Sequence, residues 1–169
     1  MKDKTVKTNV MRILEQKKLA YTPHFYDEGD DTPADTRSYG EAIAARLGQD
    51  PARAFKTLVT RGASGGYHVF DLPVAENLDL KKAAKSAGEK SLSLIPVGEI
   101  LALTGYVRGG CSPVGMKKQF PTVFHQTVTD YATIFISGGK RGAQVELSPT
   151  ALLTLLGAKT ADIVVEEQA

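Results

Sequence analysis

The sequence has no tryptophan, a single cysteine and only three histidines. A single cysteine excludes a disulfide within the chain and is typical of a reducing compartment. The histidines and the cysteine lack the spacing of metal ligands, so we expect neither a metal nor another cofactor. The longest apolar runs are too short to cross a membrane, and the first residues lead into no signal-peptide core. We therefore expect a cytoplasmic protein without membrane contact.

The composition is that of a folded globular protein. Of the 169 residues, 42% are hydrophobic and 24% are charged, and no internal repeat or linker divides the chain. This length suits one domain with a substantial core, so we expect a single domain over residues 1–169. The net charge of +2 permits an RNA or phosphate partner without arguing for one.

Two β-hairpins are the clearest local prediction. In the first, strands over residues 55–60 and 67–74 flank a turn at 62–66, and in the second, residues 134–147 fold back at a tip over 138–142. Further strands are predicted at 20–26, near a sheet edge because of Pro23, and at 91–95, 122–126 and 162–165. Helices are predicted at residues 8–18, from a capping box at Ser38 to about Gly48, and at 78–87, 97–103 and 149–156. The sum is an α+β fold with a mixed, largely antiparallel sheet flanked by helices. The acidic, turn-rich residues 27–36 are predicted to form a loop beside a site.

A glycine-rich stretch over residues 105–118 is the most distinctive part of the sequence. Four glycines, one proline and three cations occur within these fourteen residues. Successive N–H groups in such a loop can form a concavity that binds an anion or a carbonyl group. The alternative is a tight surface connection whose lysines are merely solvated.

A second glycine-rich segment, residues 137–142, forms the tip of the second hairpin. It does not match the phosphate-binding G-x-x-x-x-G-K-[ST] motif and leads into a strand rather than a helix, so a nucleotide-hydrolysing loop is not expected. A solvated turn is the commoner structure for such a segment. Its cations, with Arg108, Lys117 and Lys118, also suit contact with an RNA backbone.

Two side chains invite a chemical role. Glycines and cations beside Cys111 are able to lower its thiol pKa, yet no histidine is adjacent, and a small buried cysteine is the commoner structure. Lys56 lies inside a predicted strand, where lysine usually faces solvent or prevents an edge strand from pairing with another chain. Its neighbour Thr57 points to the opposite face. No serine lies in a G-x-S-x-G motif.

Taken together, four segments resemble the YbaK/EbsC family of aminoacyl-tRNA deacylases, free-standing relatives of the editing domain inserted in bacterial prolyl-tRNA synthetases. The segments are Phe-Lys-Thr-Leu at 55–58, Leu-Asp-Leu-Lys-Lys at 78–82, the glycine-rich stretch, and 136–142 with Val-Glu-Leu at 145–147. They run in the family's order and cover nearly the whole chain. The resemblance implies the family's editing-domain fold, with a partly barrel-like sheet. The glycine-rich stretch is most similar to that of the branch acting on cysteinyl-tRNA(Pro).

The resemblance implies removal of a wrong amino acid from the 3′ end of tRNA, in trans to the synthetase. In this branch the thiol of the substrate cysteine attacks its own ester carbonyl and leaves as a cyclic thioester. An intramolecular nucleophile has a large effective molarity, so the enzyme chiefly positions it and needs no triad. The implied partners are aminoacyl-tRNA and, in a ternary complex, prolyl-tRNA synthetase.

The resemblance also implies roles for individual residues. Lys56 matches the family's catalytic lysine, which holds the terminal adenosine or stabilises negative charge on the carbonyl oxygen. The glycine-loop residues 109 and 110 are expected to present N–H groups to the aminoacyl ester. The residues implied to bind substrate are Tyr26, Thr57, Gly109, Gly110, Ser112, Ser137, Gly138 and Gln144. Relatives commonly carry aspartate where this chain has Gln144, which puts amine recognition there in doubt.

Two other functions remain open at this stage. A deacylase for another small amino acid, such as alanine, would use an activated water in place of the substrate thiol. A non-catalytic module that binds aminoacyl-tRNA or a synthetase would share the fold and the glycine loops.

Overall fold

The computed structural model describes residues 6–27 and 36–166, with side chains from residue 39 onward in the second range. The helices are α1 (Asn9–Gln16), α2 (Thr36–Arg46), α3 (Leu80–Ala87), α4 (Val97–Thr104) and α5 (Pro149–Leu156). The strands are β1 (Tyr21–Phe25), β2 (Phe55–Gly62), β3 (Tyr67–Pro73), β4 (Leu92–Leu94), β5 (Thr122–His125), β6 (Ile134–Ser137), β7 (Ala143–Leu147) and β8 (Lys159–Ala161). A 3₁₀ helix follows β5 at Gln126–Asp130. In the described part of the chain, none of the helices is long and apolar enough to cross a membrane.

The helix ends follow their local sequence signals. The Thr8 hydroxyl caps α1 by accepting from the N–H of Met11, and Ser148 caps α5 just ahead of Pro149. At the other end of α5, Gly157 adopts the left-handed conformation that a helix C-terminus favours. The predicted capping box is wrong, because α2 already begins at Thr36 and Ser38 therefore lies inside its first turn. The predicted loop over residues 27–36 lies almost wholly outside the described residues.

The α+β class and the mixed, largely antiparallel pairing are confirmed, but the strands form two sheets. One sheet has the order β1-β7-β6, all antiparallel, with β1 at its edge as Pro23 predicts. The other has the order β4-β2-β3-β5-β8, in which β5 runs parallel to both β3 and β8. Both predicted hairpins, β2–β3 and β6–β7, are present. An isolated bridge between Ala54 and Phe135 joins the sheets beside β2 and β6.

The last strand differs from its prediction. Residues 162–165 make only an isolated bridge, between Val164 and Leu78, whereas β8 forms just upstream at Lys159–Ala161. The predicted strand at 162–165 is wrong: Ile163 is fully buried without being part of a strand ladder, and Val165 is 45% exposed. Ile163 is instead fully buried against α3 and the outer face of the five-stranded sheet.

The main core lies between the two sheets and is closed by α1 and α5. Val10, Met11 and Leu14 from α1 are buried there with Phe124 of β5 and Leu152 of α5. A second cluster packs α3 on the opposite face of the five-stranded sheet. Burial of large aliphatic and aromatic side chains on both faces makes this sheet a rigid support for residues at its edge.

Candidate active site

A cavity lies along an uncovered stretch of β2. The short strand β4 pairs with β2 only from Thr60 to Gly62, and the bridge to Phe135 begins at Ala54. Between these two contacts, residues 55–59 of β2 border a cavity of about 740 Å³. A volume of this size is in the range of small-molecule sites. The cavity is closed by residues of α2, α4, the glycine-rich stretch and the β6–β7 hairpin.

Six of the nine predicted site residues come together in the lining of this cavity. They are distant in sequence and reach it from β2, from the end of β1, from the glycine-rich stretch and from the β6–β7 hairpin. The six are Tyr26, Lys56, Thr57, Gly109, Ser137 and Gln144. The other three, Gly110, Ser112 and Gly138, lie behind the lining.

Lys56 is half-buried on β2, and its Nζ donates a hydrogen bond to the carbonyl of Val74 at 3.2 Å. Its position corrects the common interpretation of a strand lysine as a solvent-side residue, since the side chain belongs to the cavity wall. The described lining also includes the cation Arg108 and contains no carboxylate. The described wall is therefore suited to anionic or strongly polar oxygen groups.

Thr57, the next residue, is bonded to an acid that the sequence analysis did not single out. Its Oγ1 lies 2.5 Å from Oδ1 of Asp71, which faces it across the β2–β3 pair. Asp71 is fully buried, and its Oδ2 has no hydrogen-bond partner among the residues that the structure describes. Burial raises the pKa of Asp71 to about 8, against the opposing effect of the Thr57 hydrogen bond. An acidic residue inside the apolar strand 67–74 was the signal available in the sequence.

The two glycine-rich segments pack directly on one another. A Cβ on Gly110 would lie 3.0 Å from Cα of Lys140 and 3.1 Å from the backbone nitrogen of Arg141, so any side chain here would force the two segments apart by a few tenths of an ångström. The Ser137 hydroxyl ties the segments together by donating to the carbonyl of Gly110 at 3.0 Å and accepting from the N–H of Gly139. The hairpin tip is therefore packed against the glycine-rich stretch and is not merely a solvated turn.

This packing changes the role expected of the three residues behind the lining. The N–H of Gly110 donates to the carbonyl of Val107 at 3.0 Å, which competes with the predicted donation to a ligand. The fully buried Ser112 accepts from the N–H of Val114 within the loop. The N–H of Gly138 donates to Ala143 at the end of the hairpin. These residues hold the loops together, whereas Gly109 borders the cavity itself.

Gln144 is held by a partner that the sequence does not reveal. Its side-chain amide donates to Oε1 of Gln49 at 2.9 Å and accepts from Nε2 of Gln49 at 2.6 Å. Gln144 is only 8% exposed, so this reciprocal pair satisfies both of its polar functions where water has little access. A paired amide is a poor substitute for a carboxylate in holding a substrate amine.

Cys111 borders the cavity but is not poised as a nucleophile. Burial raises the pKa of its thiol to about 12, and the nearby Asp71 carboxyl contributes to the rise. The thiol is therefore protonated at neutral pH, and a protonated thiol is a weak nucleophile. The structure favours the buried-cysteine interpretation over the nucleophile.

Aromatic and cationic side chains form one end of the cavity. The hydroxyls of Tyr26 and Tyr39 are 3.1 Å apart, and the guanidinium of Arg141 lies 4.7 Å from the centre of the Tyr39 ring. Arg141 also contacts Gly109, which places it beside Arg108. Tyr39 and Arg141 were not predicted as site residues, because only the packing of the hairpin tip against α2 brings them here.

The fold is an α+β domain built on a mixed sheet. Its cavity combines a lysine, hydroxyl groups and glycine-loop backbone, which is typical of a domain that binds a ligand with polar groups. The sequence places it in a family: residues 34–155 match the family described as "Aminoacyl-tRNA editing domain". The chain belongs to this family.

Similar proteins agree with this assignment. The chain is 43% identical over 161 residues, 95% of each chain, to an Enterococcus faecalis protein provisionally named Cys-tRNA(Pro)/Cys-tRNA(Cys) deacylase EbsC. A crystal structure described as a candidate trans-editing enzyme for prolyl-tRNA synthetase superposes with a TM-score of 0.76 at 27% identity, over 96% of this chain and 100% of that one. Another crystal structure, of a protein described only as hypothetical, matches with a TM-score of 0.79 at 25% identity, over 92% and 99% of the two chains.

Proposed function

We propose that this protein is a trans-editing deacylase that removes cysteine from mischarged tRNA(Pro). The observation that carries the proposal is the cavity itself, in which a member of the aminoacyl-tRNA editing family gathers Lys56, Tyr26, Gly109 and Ser137 around one space. The name of the Enterococcus faecalis relative supports cysteinyl-tRNA as the substrate.

The proposed chemistry uses the substrate as its own nucleophile. The thiol sulfur of the cysteinyl group bonds to the ester carbonyl carbon, and the bond from that carbon to the ribose oxygen breaks. The thiol proton ends on the ribose oxygen, so the products are a cyclic thioester and tRNA with a free 3′ hydroxyl. This route is consistent with the protonated state of Cys111, the chain's one cysteine, because no enzyme thiolate is required.

In this mechanism the enzyme contributes position and charge. The Lys56 ammonium stabilises negative charge as it develops on the carbonyl oxygen, an effect that is strongest in a cavity shielded from water. Gly109 borders the cavity, and its N–H is assigned as a second donor to the carbonyl oxygen. Holding the substrate thiol against the carbonyl carbon supplies the rest of the rate acceleration, since a well-oriented intramolecular attack has a large effective molarity.

The body of the tRNA is proposed to lie across the cations beside the cavity. Arg108, Lys140 and Arg141 are brought together where the glycine-rich stretch meets the hairpin tip. Such side chains bind phosphates, and each phosphate contact adds to the dependence of affinity on salt. We also propose that prolyl-tRNA synthetase joins the complex, as the description of the trans-editing relative suggests. Co-sedimentation of the protein with synthetase, with and without tRNA, measures this association.

The decisive assay compares cysteinyl-, seryl- and alanyl-tRNA(Pro) under the same conditions. The three side chains are nearly isosteric, and a pocket discriminates poorly among such groups, so similar affinities are expected. Cysteinyl-tRNA should be cleaved much faster, because a seryl hydroxyl is a weaker nucleophile and an alanyl side chain cannot attack. Equal rates for cysteinyl- and alanyl-tRNA would point to an activated water. Binding without turnover of any substrate would point to the non-catalytic module.

The matched enzyme variant is Lys56→Ala, with Lys56→Arg as the charge-preserving control. We expect Lys56→Ala to lower deacylation at least about a hundredfold, the order seen when a main electrostatic donor is removed. The fold should be retained, as judged by circular dichroism, because Lys56 is only half-buried. Wild-type turnover by Lys56→Ala would remove the lysine from the mechanism.

A further inference from the structure

The buried acid behind the cavity wall has no role in the mechanism above. The Asp71 carboxyl is fully buried and makes one hydrogen bond, to Thr57, and its Oδ2 has no partner in the described part of the chain. Burying a carboxyl group in this way is costly, and buried polar groups are normally fully bonded. The side chain to which Asp71 is hydrogen-bonded, Thr57, borders the cavity.

The geometry of the β2–β3 pair accounts for the close contact. The N–H of Val74 donates to Ala54 and the N–H of Gly62 donates to Gly66, so the even-numbered residues of β2 exchange backbone bonds with β3. Thr57 and Asp71 are therefore a non-hydrogen-bonded pair, the kind in which side chains on one face come closest. The backbone groups of Thr57 point away from β3, toward the uncovered edge.

The surroundings of Asp71 favour its neutral form. The flanking positions on the same face, Val59 and Val69, are buried members of the main core. From β5 the residue opposite Asp71 is Phe124, and from the glycine-rich stretch the neighbouring titratable group is Cys111, whose thiol is neutral. No described cation is bonded to Asp71, and burial holds its pKa at about 8.

The position of the proton then determines the direction of the hydrogen bond. A proton on Oδ2 would have no acceptor, because that atom is unpartnered. A proton on Oδ1 is donated to Oγ1 of Thr57, and Oδ2 becomes a carbonyl oxygen, the polar atom that tolerates an unmade bond best. With its oxygen already accepting from Asp71, the Thr57 hydroxyl has its own hydrogen left to donate into the cavity.

We propose that Asp71 is a positioning residue that, as a neutral acid, orients the Thr57 hydroxyl as a hydrogen-bond donor to an acceptor oxygen of the bound aminoacyl ester. This rests on the proposed deacylase function. Ionisation of Asp71 reverses the arrangement, since a carboxylate can only accept and takes the Thr57 hydrogen for itself. The donor in the cavity is then lost although no residue has moved.

The test compares deacylation rates from pH 6 to pH 9.5 for wild type, Asp71→Asn and Asp71→Val. The asparagine NH₂ group takes the place of the protonated oxygen and keeps the donation to Thr57, whereas valine removes it. We expect Asp71→Val to be about tenfold slower at pH 7, the effect of losing one ordinary hydrogen bond. Asp71→Asn should restore most of this loss.

The pH dependence separates positioning from a merely structural role. The substrate thiol also ionises in this range, and the ester hydrolyses spontaneously. Subtracting an enzyme-free blank removes the spontaneous hydrolysis. The ratio of the Asp71→Asn rate to the wild-type rate then cancels the effect of substrate ionisation, so this ratio is the informative quantity. The ratio should be constant near neutrality and rise toward about tenfold as Asp71 ionises, because the ionised wild type has lost the same hydrogen bond as Asp71→Val. A flat ratio, or full activity in Asp71→Val, would overturn the proposal.

Two further measurements distinguish a failure of this inference from a failure of the proposed deacylase function. Thr57→Val should reproduce the rate loss, whereas Thr60→Val, a buried hydroxyl on the same strand bonded to the carbonyl of His68, should not. The ¹³C carboxyl resonance of Asp71, identified by its absence in Asp71→Asn, should be that of a neutral acid at pH 6. An ionised Asp71 at that pH would overturn the inference whatever the activity. Absence of turnover by wild type on every aminoacyl-tRNA would instead overturn the proposed function.

Discussion

Replacing Asp71 by asparagine should change how the stability of the fold depends on pH. The folded state holds Asp71 neutral until about pH 8, because burial raises its pKa there from an ordinary 3.8. In the unfolded chain the same carboxyl ionises near pH 4. Between these values the folded state binds the extra proton, so this group's contribution is most favourable below pH 4 and is lost progressively as the pH rises to 8.

The size of the effect follows from the pKa values. Each pKa unit is worth about 1.4 kcal/mol, so raising the pKa from 3.8 to about 8 corresponds to about 6 kcal/mol of unfolding free energy over the whole titration. Asp71 is fully buried, so solvent screening does not reduce this value. An asparagine at the same position has the same shape and does not titrate, so the variant isolates this one group from the rest of the protein.

Urea unfolding at pH 4, 6 and 8 measures the difference in unfolding free energy between Asp71→Asn and wild type. We expect this difference to move in favour of the variant by several kcal/mol from pH 4 to pH 8, with about 5 kcal/mol as its upper limit. A difference that stays within about 1 kcal/mol over the range would show that Asp71 is ionised in the folded protein, and the reasoning from its burial would be refuted.

Three other substitutions have direct expected outcomes. Cys111→Ser should keep most of the deacylase activity, because the thiol is held neutral; a loss of about a thousandfold in rate would identify Cys111 as a principal catalytic group. Gly110→Ala should lower the unfolding free energy by about 1–3 kcal/mol, because its Cβ meets the backbone of Lys140 and Arg141 across the loops; an unchanged melting temperature would mean that the two loops separate freely. Gln49→Ala should cost about 1–3 kcal/mol in a denaturant titration, because it leaves the buried amide of its partner unsatisfied; a neutral result would mean that water replaces the lost amide.

Local signals in the sequence were enough for most of the secondary structure. Both hairpins follow from short apolar strands around glycine turns, and α5 follows from Ser148-Pro149 at its start and Gly157 at its end. These signals work because they depend on backbone conformations that a few neighbouring residues determine. The family blocks likewise located Lys56, Thr57, Gly109 and Ser137, all of which border the cavity.

The partners of those elements could not be predicted from local signals. A strand's sequence does not say which strand lies beside it, so the parallel pairing of β5 with β3 and β8 and the division into two sheets were not predicted. The final strand was predicted at 162–165 for the same reason, because local sequence does not show what buries Ile163. That residue is buried by packing against α3 and not by pairing with another strand.

The chemistry of the site was decided at the same tertiary level. In the sequence Asp71 is one charged residue in an apolar strand and Gln49 is one polar residue after a helix. Only the packed structure makes the first a fully buried acid behind Thr57 and the second the partner of Gln144. Protonation and hydrogen bonding depend on how much water and which groups surround a side chain, and those surroundings come from residues far away in the chain.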